Sequence, residues 1–236
     1  MDLIVCDETE RLEKALESAE GLVFDCDGTL LDTMPLYYET WKGSCEELGL
    51  NLPIDRFYAF AGVPVRDIFQ ILIDEQLGEN EKKITADYCM EVKRKHMEEQ
   101  EAKGELAGPI NVVVDIVKRF HGKMPMAVAS SGFRDHVLSG LERNGLLHMF
   151  DTVVTTCEEE VKNPKPAPDI FLVAAKRIGI DPTKCVGFED GDPGMKGIND
   201  AGFIYASDVR LMHMYPRNVE KRELAKKQSS GSESAA

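Results

Sequence analysis

The feature that most constrains the fold is an alternation of short apolar strands and helices through the second half of the chain. Strands separated by helices need crossover connections, which join parallel strands and are right-handed. The sequence therefore predicts an α/β fold, a doubly wound parallel sheet with a Rossmann-like core. The predicted strands are 126–130, 152–155, 184–188 and 203–206, and the predicted helices are 112–120, 135–143, 169–178 and 193–201.

The first strand is predicted far upstream, at 21–24, after an amphipathic helix over 8–20. From 35 to 103 the apolar residues recur at helical spacing, and no strand pattern occurs. We therefore expect an all-helical cap domain inserted into the α/β core. The small polar tail is expected to be disordered. The expected divisions are 1–34 with 105–227 for the core, 35–104 for the cap and 228–236 for the tail, and the cap helices are expected at 35–48, 54–61, 64–77 and 85–102.

Composition excludes several classes of protein. The net charge of −14 argues against a nucleic-acid-binding protein. The chain contains no apolar run of membrane-spanning length, and its start does not resemble a signal peptide. The six cysteines form no C-x-x-C pair, which favours free thiols in a reducing compartment, and the five histidines are too scattered for a zinc site. We expect a cytoplasmic protein, as a monomer or weak homodimer, with no nucleic-acid or membrane partner.

Two aspartates, Asp25 and Asp27, follow the first predicted strand directly. Like charges this close disfavour each other's ionisation unless a cation or a proton lies between them. In a doubly wound sheet, ligands bind outside the carboxyl ends of the strands, so the residues that follow other strands should lie near this pair. Those residues are Ser130, Ser131, Lys165, Glu189 and Asp190.

Each of these residue types has a function if the substrate is a phosphate ester. A carboxylate can attack phosphorus and form an acyl phosphate. Carboxylates from two strands suit Mg²⁺, which prefers hard oxygen ligands. A hydroxyl and a lysine can stabilise charge on the transferring group. If Asp25 is that carboxylate, the carboxyl of Asp27, two residues further on, can protonate the leaving oxygen and later deprotonate water.

Other interpretations of the same residues exist. The Asp25 and Asp27 pair alone is compatible with a solvated turn and a helix cap, and Ser130 with an N-cap of the next helix. Lys165 alone is compatible with an exposed loop. Acids such as Glu189 and Asp190 are also favoured at helix N-termini. Since Asp192 follows closely, the sequence leaves open which acids of this loop face a metal.

Taken together, these motifs resemble, in order, the four motifs of the haloacid dehalogenase superfamily. They are Asp25-Cys26-Asp27-Gly28-Thr29, Ser130, Lys165 and Glu189-Asp190. The helical insertion after the first motif resembles the cap of the β-phosphoglucomutase-like branch. Within that branch, the stretches 121–128, 188–194 and 208–211 resemble a group of bacterial fructose-1-phosphate phosphatases.

The resemblance implies a role for each motif residue. Asp25 would be the nucleophile and Asp27 the acid/base. The implied metal site for Mg²⁺ comprises Asp25, Asp27 through its backbone carbonyl, Asp190 and Glu189. The expected phosphate-binding residues are Ser130, Ser131, Lys165 and Gly28, and the expected substrate residues of the cap are Tyr37 and Arg66.

We therefore expect a Mg²⁺-dependent phosphatase of small phosphorylated metabolites, sugar or polyol phosphates, acting through an aspartyl phosphate. A β-phosphoglucomutase is the alternative within the fold; Tyr37 stands where the mutase-like branch often has a histidine, which favours the phosphatase. A silent binding protein and a dehalogenase are further alternatives. The complete set of acidic motif residues argues against a silent binding protein. The same acids suit a metal ion, which argues against a dehalogenase, because halide displacement needs no cation. The cap is expected to close over the site and supply specificity.

Overall fold

The computed structural model describes residues 2–60, 63–78, 84–104 and 106–233. Its centre is a five-stranded sheet with the strand order β3-β2-β1-β4-β5, in which every neighbouring pair is parallel. This confirms the predicted α/β fold. The strands are β1 (Gly21–Phe24), β2 (Met126–Ser130), β3 (Thr152–Thr155), β4 (Cys185–Glu189) and β5 (Tyr205–Asp208).

Helices connect the strands, as the alternation in the sequence predicts. Their ends lie within one or two residues of the expected positions for most of the core. The helices are α1 (Asp2–Ser18), α2 (Met34–Glu47), α3 (Ile54–Ala59), α4 (Val65–Gln76), α5 (Ala86–Ala102), α6 (Asn111–Phe120), α7 (Arg134–Arg143), α8 (Asp169–Arg177), α9 (Asp192–Asp200) and α10 (Pro216–Glu233).

The two faces of the sheet are packed differently. On one face Val23, Ala129 and Val154 form a buried cluster with Phe171 of α8 and Ile198 of α9. The small alanine side chains on β2 leave room for the bulky side chains of α8. Alternate strand residues point to the opposite face, where the ring of Phe24 stacks on that of Phe188 with centroids 4.4 Å apart. The sheet is therefore buried on both faces, as parallel sheets require.

The chain divides into two compact units, Thr33–Ala107 and the combination of Met1–Asp32 with Gly108–Ala236. Within the helical unit, Trp41 of α2 packs on Phe69 of α4, with ring centroids 4.7 Å apart. Cys89 of α5 belongs to the same buried cluster. Thr85 caps α5, since its hydroxyl accepts a hydrogen bond from the amide of Tyr88 at 3.2 Å. The predicted end of the second cap helix, 61–62, lies outside the described residues.

Two expectations at the end of the core were wrong. The last strand lies at Tyr205–Asp208, two residues after the predicted 203–206. Phe203 instead packs edge-on against Phe171, at a centroid distance of 6.1 Å, so its apolar side chain fills the core before the strand begins. The tail expected to be disordered from residue 228 continues as helix α10 to Glu233, while 234–236 lie outside the described residues. Strong helix formers over 220–227 explain the extension.

Backbone hydrogen bonds close the core where the helical unit leaves and returns. The amide of Asp32 donates to the carbonyl of Gly108 at 2.9 Å, and the amide of Ile110 donates to that of Leu30 at 2.9 Å. The two ends of the insertion are therefore adjacent on the core. Within the described part of the chain, no helix is both long and apolar enough to span a bilayer.

Candidate active site

The carboxyl ends of the central strands bring the acidic residues together. Asp25 follows β1, and its amide donates to the carbonyl of Phe188 in β4 at 2.9 Å. Glu189 is the last residue of β4, and Asp190 follows it. Because β1 and β4 are parallel neighbours, the three carboxylates share one edge of the sheet. All three side chains are buried, at 4–7% exposure.

Lys165 is the cation of this cluster. Its Nζ atom lies 2.6 Å from Oδ1 of Asp25 and 2.7 Å from Oε2 of Glu189, with the lysine side chain 9% exposed. Burial disfavours the ammonium form, but the charges and hydrogen bonds of the two acids outweigh it and raise the pKa of Lys165. Lys165 is therefore a charged group that bridges two carboxylates.

One ammonium does not neutralise three carboxylates. Each of Asp25, Glu189 and Asp190 offers an oxygen, and these oxygens lie within 4.8 Å of one another. Burial, and after it the charge of Asp25, raises the pKa of Glu189 to about 7. Burial and the two neighbouring acids raise the pKa of Asp190 well above its usual value. Such a compact set of hard oxygen donors, short of positive charge, fits a divalent cation such as Mg²⁺.

Two glycines make room for the acidic side chains. Gly28 has φ +82°, and a Cβ atom at this position would overlap Oδ2 of Asp190. A Cβ atom at Gly194 in α9 would overlap Oε2 of Glu189. The other oxygen of Glu189, Oε1, accepts hydrogen bonds from the amides of Asp190 at 3.2 Å and Gly191 at 3.0 Å. The two glycines thus leave space for both carboxylates, and the loop amides hold that of Glu189.

Asp27 lies near the loop that follows β2. A Cβ atom placed on Gly132 would be 3.2 Å from Oδ2 of Asp27 and 3.3 Å from Oγ of Ser130. The buried Ser130 hydroxyl accepts a hydrogen bond from the amide of Gly132 at 3.0 Å. It does not cap α7, whose N-cap residue is Phe133. Asp27 and Ser130 thus face the same small space beside Gly132.

The other two residues predicted to bind phosphate have backbone groups in use. The amide of Gly28 donates to the carbonyl of Leu31 at 2.8 Å. Ser131 is exposed, and its carbonyl accepts a hydrogen bond from the hydroxyl of Thr156 at 3.2 Å. The Ser131 hydroxyl lies at the surface of this loop, whereas the Gly28 amide is engaged within its own turn.

Asp192 is separate from the buried acids. Its side chain is 85% exposed and lies 2.6 Å from the guanidinium of Arg210, which also binds Asp208 at 2.7 Å. Hydrogen bonds from Arg210 to these acids, above all to Asp208, raise the pKa of Arg210 above its already high value. This geometry favours Glu189 over Asp192 as a neighbour of a bound metal.

Ion pairs hold the loop that carries Lys165. Glu158 lies 2.7 Å from Arg134 of α7 and 3.0 Å from Arg177 of α8. At the far end of the loop, Asp169 accepts hydrogen bonds from the amides of Lys162 at 3.1 Å and of residue 163 at 3.0 Å. The sequence does not indicate these contacts. The ion pairs of Glu158 join segments that are distant along the chain, and the hydrogen bonds of Asp169 belong to no known motif.

The cap residues expected to meet substrate lie in the helical unit. Tyr37 is half-buried on α2 and packs against the buried cluster of that unit. Arg66, at the start of α4, directs Nε to Oδ1 of Asp87 at 2.9 Å, and both side chains are exposed. The hydrogen bond to Asp87 raises the pKa of Arg66. Their role toward substrate stays a prediction.

Comparison with known proteins agrees with this geometry. Residues 19–202 match the family of haloacid dehalogenase-like hydrolases. The chain is 37% identical over 196 residues to fructose-1-phosphate phosphatase YqaB of Escherichia coli, covering 83% of this chain and 99% of that protein. It is 32% identical to a phosphorylated carbohydrates phosphatase of Thermotoga maritima, covering 78% and 82% of the two chains.

A solved structure gives the same result for the fold. The crystal structure of β-phosphoglucomutase from Clostridium difficile superposes with a TM-score of 0.61 at 19% identity, covering 79% of this chain and 83% of that one. At this identity the likeness concerns the fold. The chain belongs to the haloacid dehalogenase-like hydrolases.

Proposed function

We propose that this protein is a Mg²⁺-dependent phosphatase of small sugar or polyol phosphates. The observation that carries the proposal is the buried cluster in which Lys165 bridges Asp25 and Glu189, beside Asp190. The match to YqaB over nearly the whole of that protein supports a fructose-1-phosphate-like substrate. The cytoplasmic location and the monomer or weak homodimer predicted from the sequence stay predictions.

The proposed reaction has two displacements. A carboxylate oxygen of Asp25 forms a bond to phosphorus while the bond from phosphorus to the ester oxygen breaks, and Asp27 donates its proton to that oxygen. Water then attacks phosphorus, the bond to Asp25 breaks, and Asp27 takes the proton of the water. The products are the free alcohol and inorganic phosphate.

The remaining side chains bind and orient. Ser130 and Ser131 would hold the phosphoryl oxygens. Gly28, predicted to join them, has its amide bound to the carbonyl of Leu31 and would instead leave room for the Asp190 carboxylate. Lys165, whose Nζ atom lies 2.6 Å from Oδ1 of Asp25, supplies positive charge beside the transferring group. Asp25, Glu189 and Asp190, with the Asp27 carbonyl, would hold Mg²⁺. When bound, this ion offsets the repulsion between an anionic nucleophile and an anionic phosphoryl group.

The proposal is tested by phosphate release from a panel of sugar phosphates with Mg²⁺, including fructose-1-phosphate. Asp25→Asn should abolish release, since an amide oxygen cannot form the aspartyl phosphate. Full residual activity of this variant would contradict the mechanism, and activity retained in EDTA would contradict the metal requirement. With β-glucose-1-phosphate, free phosphate is expected; accumulation of glucose-6-phosphate would favour the mutase.

A further inference from the structure

Tyr215 lies outside the four motif loops but contacts the turn that follows the aspartate pair. Its hydroxyl donates a hydrogen bond to the carbonyl of Gly28 at 2.8 Å, across 187 residues of sequence. The tyrosine side chain is 6% exposed. A buried carbonyl that loses its donor cannot regain one from bulk water, so this hydrogen bond fixes the peptide group between Gly28 and Thr29.

Besides its carbonyl, two other groups of Gly28 are restrained. Its amide donates to the carbonyl of Leu31 at 2.8 Å, and its Cα lies against the carboxylate of Asp190. Asp27 precedes Gly28 and shares a peptide group with it. The carbonyl that Tyr215 binds belongs to the following peptide group, between Gly28 and Thr29. The two peptide groups meet at the Cα atom of Gly28, so loss of the Tyr215 hydrogen bond lets Gly28 rotate and shifts the neighbouring Asp27.

The segment that carries Tyr215 is itself held. The amide of Tyr215 donates to the carbonyl of Met212 at 3.0 Å. The side-chain amide of Asn218 donates to the same carbonyl at 3.0 Å and to that of Arg210 at 2.7 Å. Arg210 is bound in turn by Asp208 at the end of β5. The Tyr215 hydroxyl thus belongs to a braced turn anchored on the sheet.

We propose that Tyr215 is a positioning residue: its hydrogen bond to Gly28 holds the Asp27 carboxyl where it can protonate the leaving oxygen. The inference rests on the proposed acid/base function of Asp27. Two leaving groups separate this role from a general disturbance of the site. A disturbance of the metal site through the Asp27 carbonyl lowers activity toward every substrate, whereas a displaced Asp27 carboxyl lowers it further for substrates that need proton donation.

The test uses Tyr215→Phe, which removes only the hydroxyl, and two substrates with different leaving groups. A sugar phosphate releases an alkoxide and needs the acid, whereas p-nitrophenyl phosphate releases a stable phenolate and does not. The kcat/KM value covers the steps up to aspartyl phosphate formation. We expect the ratio of kcat/KM for sugar phosphate to that for aryl phosphate to fall roughly tenfold or more. This is less than the roughly 10²–10⁴-fold contribution of a general acid, because the acid is displaced and not removed.

The ratio does not depend on how much enzyme is folded, so a partial loss of stability leaves the test valid. Tyr88→Phe, an exposed tyrosine of α5, is the matched control and should leave the ratio unchanged. An equal fall for both substrates in Tyr215→Phe, or an unchanged ratio, would overturn the inference. A wild-type protein that releases phosphate from neither substrate would overturn the proposed function itself, and the inference with it.

Discussion

The Nζ atom of Lys165 lies 2.6 Å from Oδ1 of Asp25, although 140 residues separate them along the chain. The same atom contacts Glu189 at 2.7 Å, so one ammonium links the first strand to the fourth. Because the three charged groups are buried together, removal of one leaves uncompensated charge on the others. The acidic site and the loop around Lys165 are therefore one electrostatic unit.

Removal of this ammonium should destabilise the metal-free protein. Lys165→Met keeps much of the side-chain volume but leaves Asp25 and Glu189 without their cation. We expect a loss of about 3–5 kcal/mol in the free energy of unfolding, measured by urea denaturation in EDTA. Lys162→Met, an exposed lysine of the same loop, should change stability by less than about 0.5 kcal/mol. Equal effects of the two substitutions would contradict the bridging role.

The two acids of the fourth loop should differ in metal binding. Asp190 is buried beside Asp25, whereas Asp192 is exposed and paired with Arg210. Asp190→Asn is expected to weaken Mg²⁺ binding by roughly tenfold or more, as measured by isothermal titration. Asp192→Asn makes the same chemical change two residues away and should leave the affinity unchanged. The reverse order would place the metal on the exposed acid.

Gly28 should tolerate a methyl group less well than other glycines with positive φ. Gly202 has φ +75° and open space where a Cβ atom would lie, so Gly202→Ala should cost about 1 kcal/mol of stability from backbone strain. Gly28→Ala adds an overlap with Asp190, and we expect a total of about 3 kcal/mol. Denaturant unfolding measures both values. A similar loss of unfolding free energy in the two variants would show that the Asp190 side chain moves away from the new methyl group without cost.

Thiol reactivity should be confined to one of the five cysteines whose side chains are described. Cys157 is exposed, and the other four are buried. Burial, and then the charges of Asp27 and Asp25, raise the pKa of Cys26, and burial raises that of Cys185 to about 12. Peptide mapping after brief iodoacetamide treatment of native protein should find Cys157 alkylated first. In urea, all five cysteines should be labelled equally. Labelling of Cys26 in the native protein as fast as that of Cys157 would contradict the burial of Cys26.

Much of the fold was predictable because its determinants are local. Helix and strand periodicity placed nearly every core element, since buried parallel strands are short apolar runs between helix patterns. The last strand was predicted two residues too early because Phe203 is apolar. Its side chain packs on α8 and does not belong to the strand. The tail was misjudged because its composition is polar, although residues before 228 favour a helix that continues to Glu233.

The site was predictable to the extent that strand ends determine it. Asp25, Glu189 and Asp190 meet because parallel strands end at one edge, which the order of motifs indicates. The bridging position of Lys165, the pairing of Asp192 with Arg210 and the contact of Tyr215 with Gly28 depend on tertiary packing between distant segments. No local spacing indicates such contacts in a single sequence.

The hydrogen bonds from Asp32 to Gly108 and from Ile110 to Leu30 have an evolutionary consequence. They connect the core residues that come just before the inserted 75 residues, Thr33–Ala107, with those that come just after them. Helical units of different length or surface can therefore be exchanged at this junction without a change of register in the sheet. Selection can thus alter the inserted segment and the catalytic loops independently of each other.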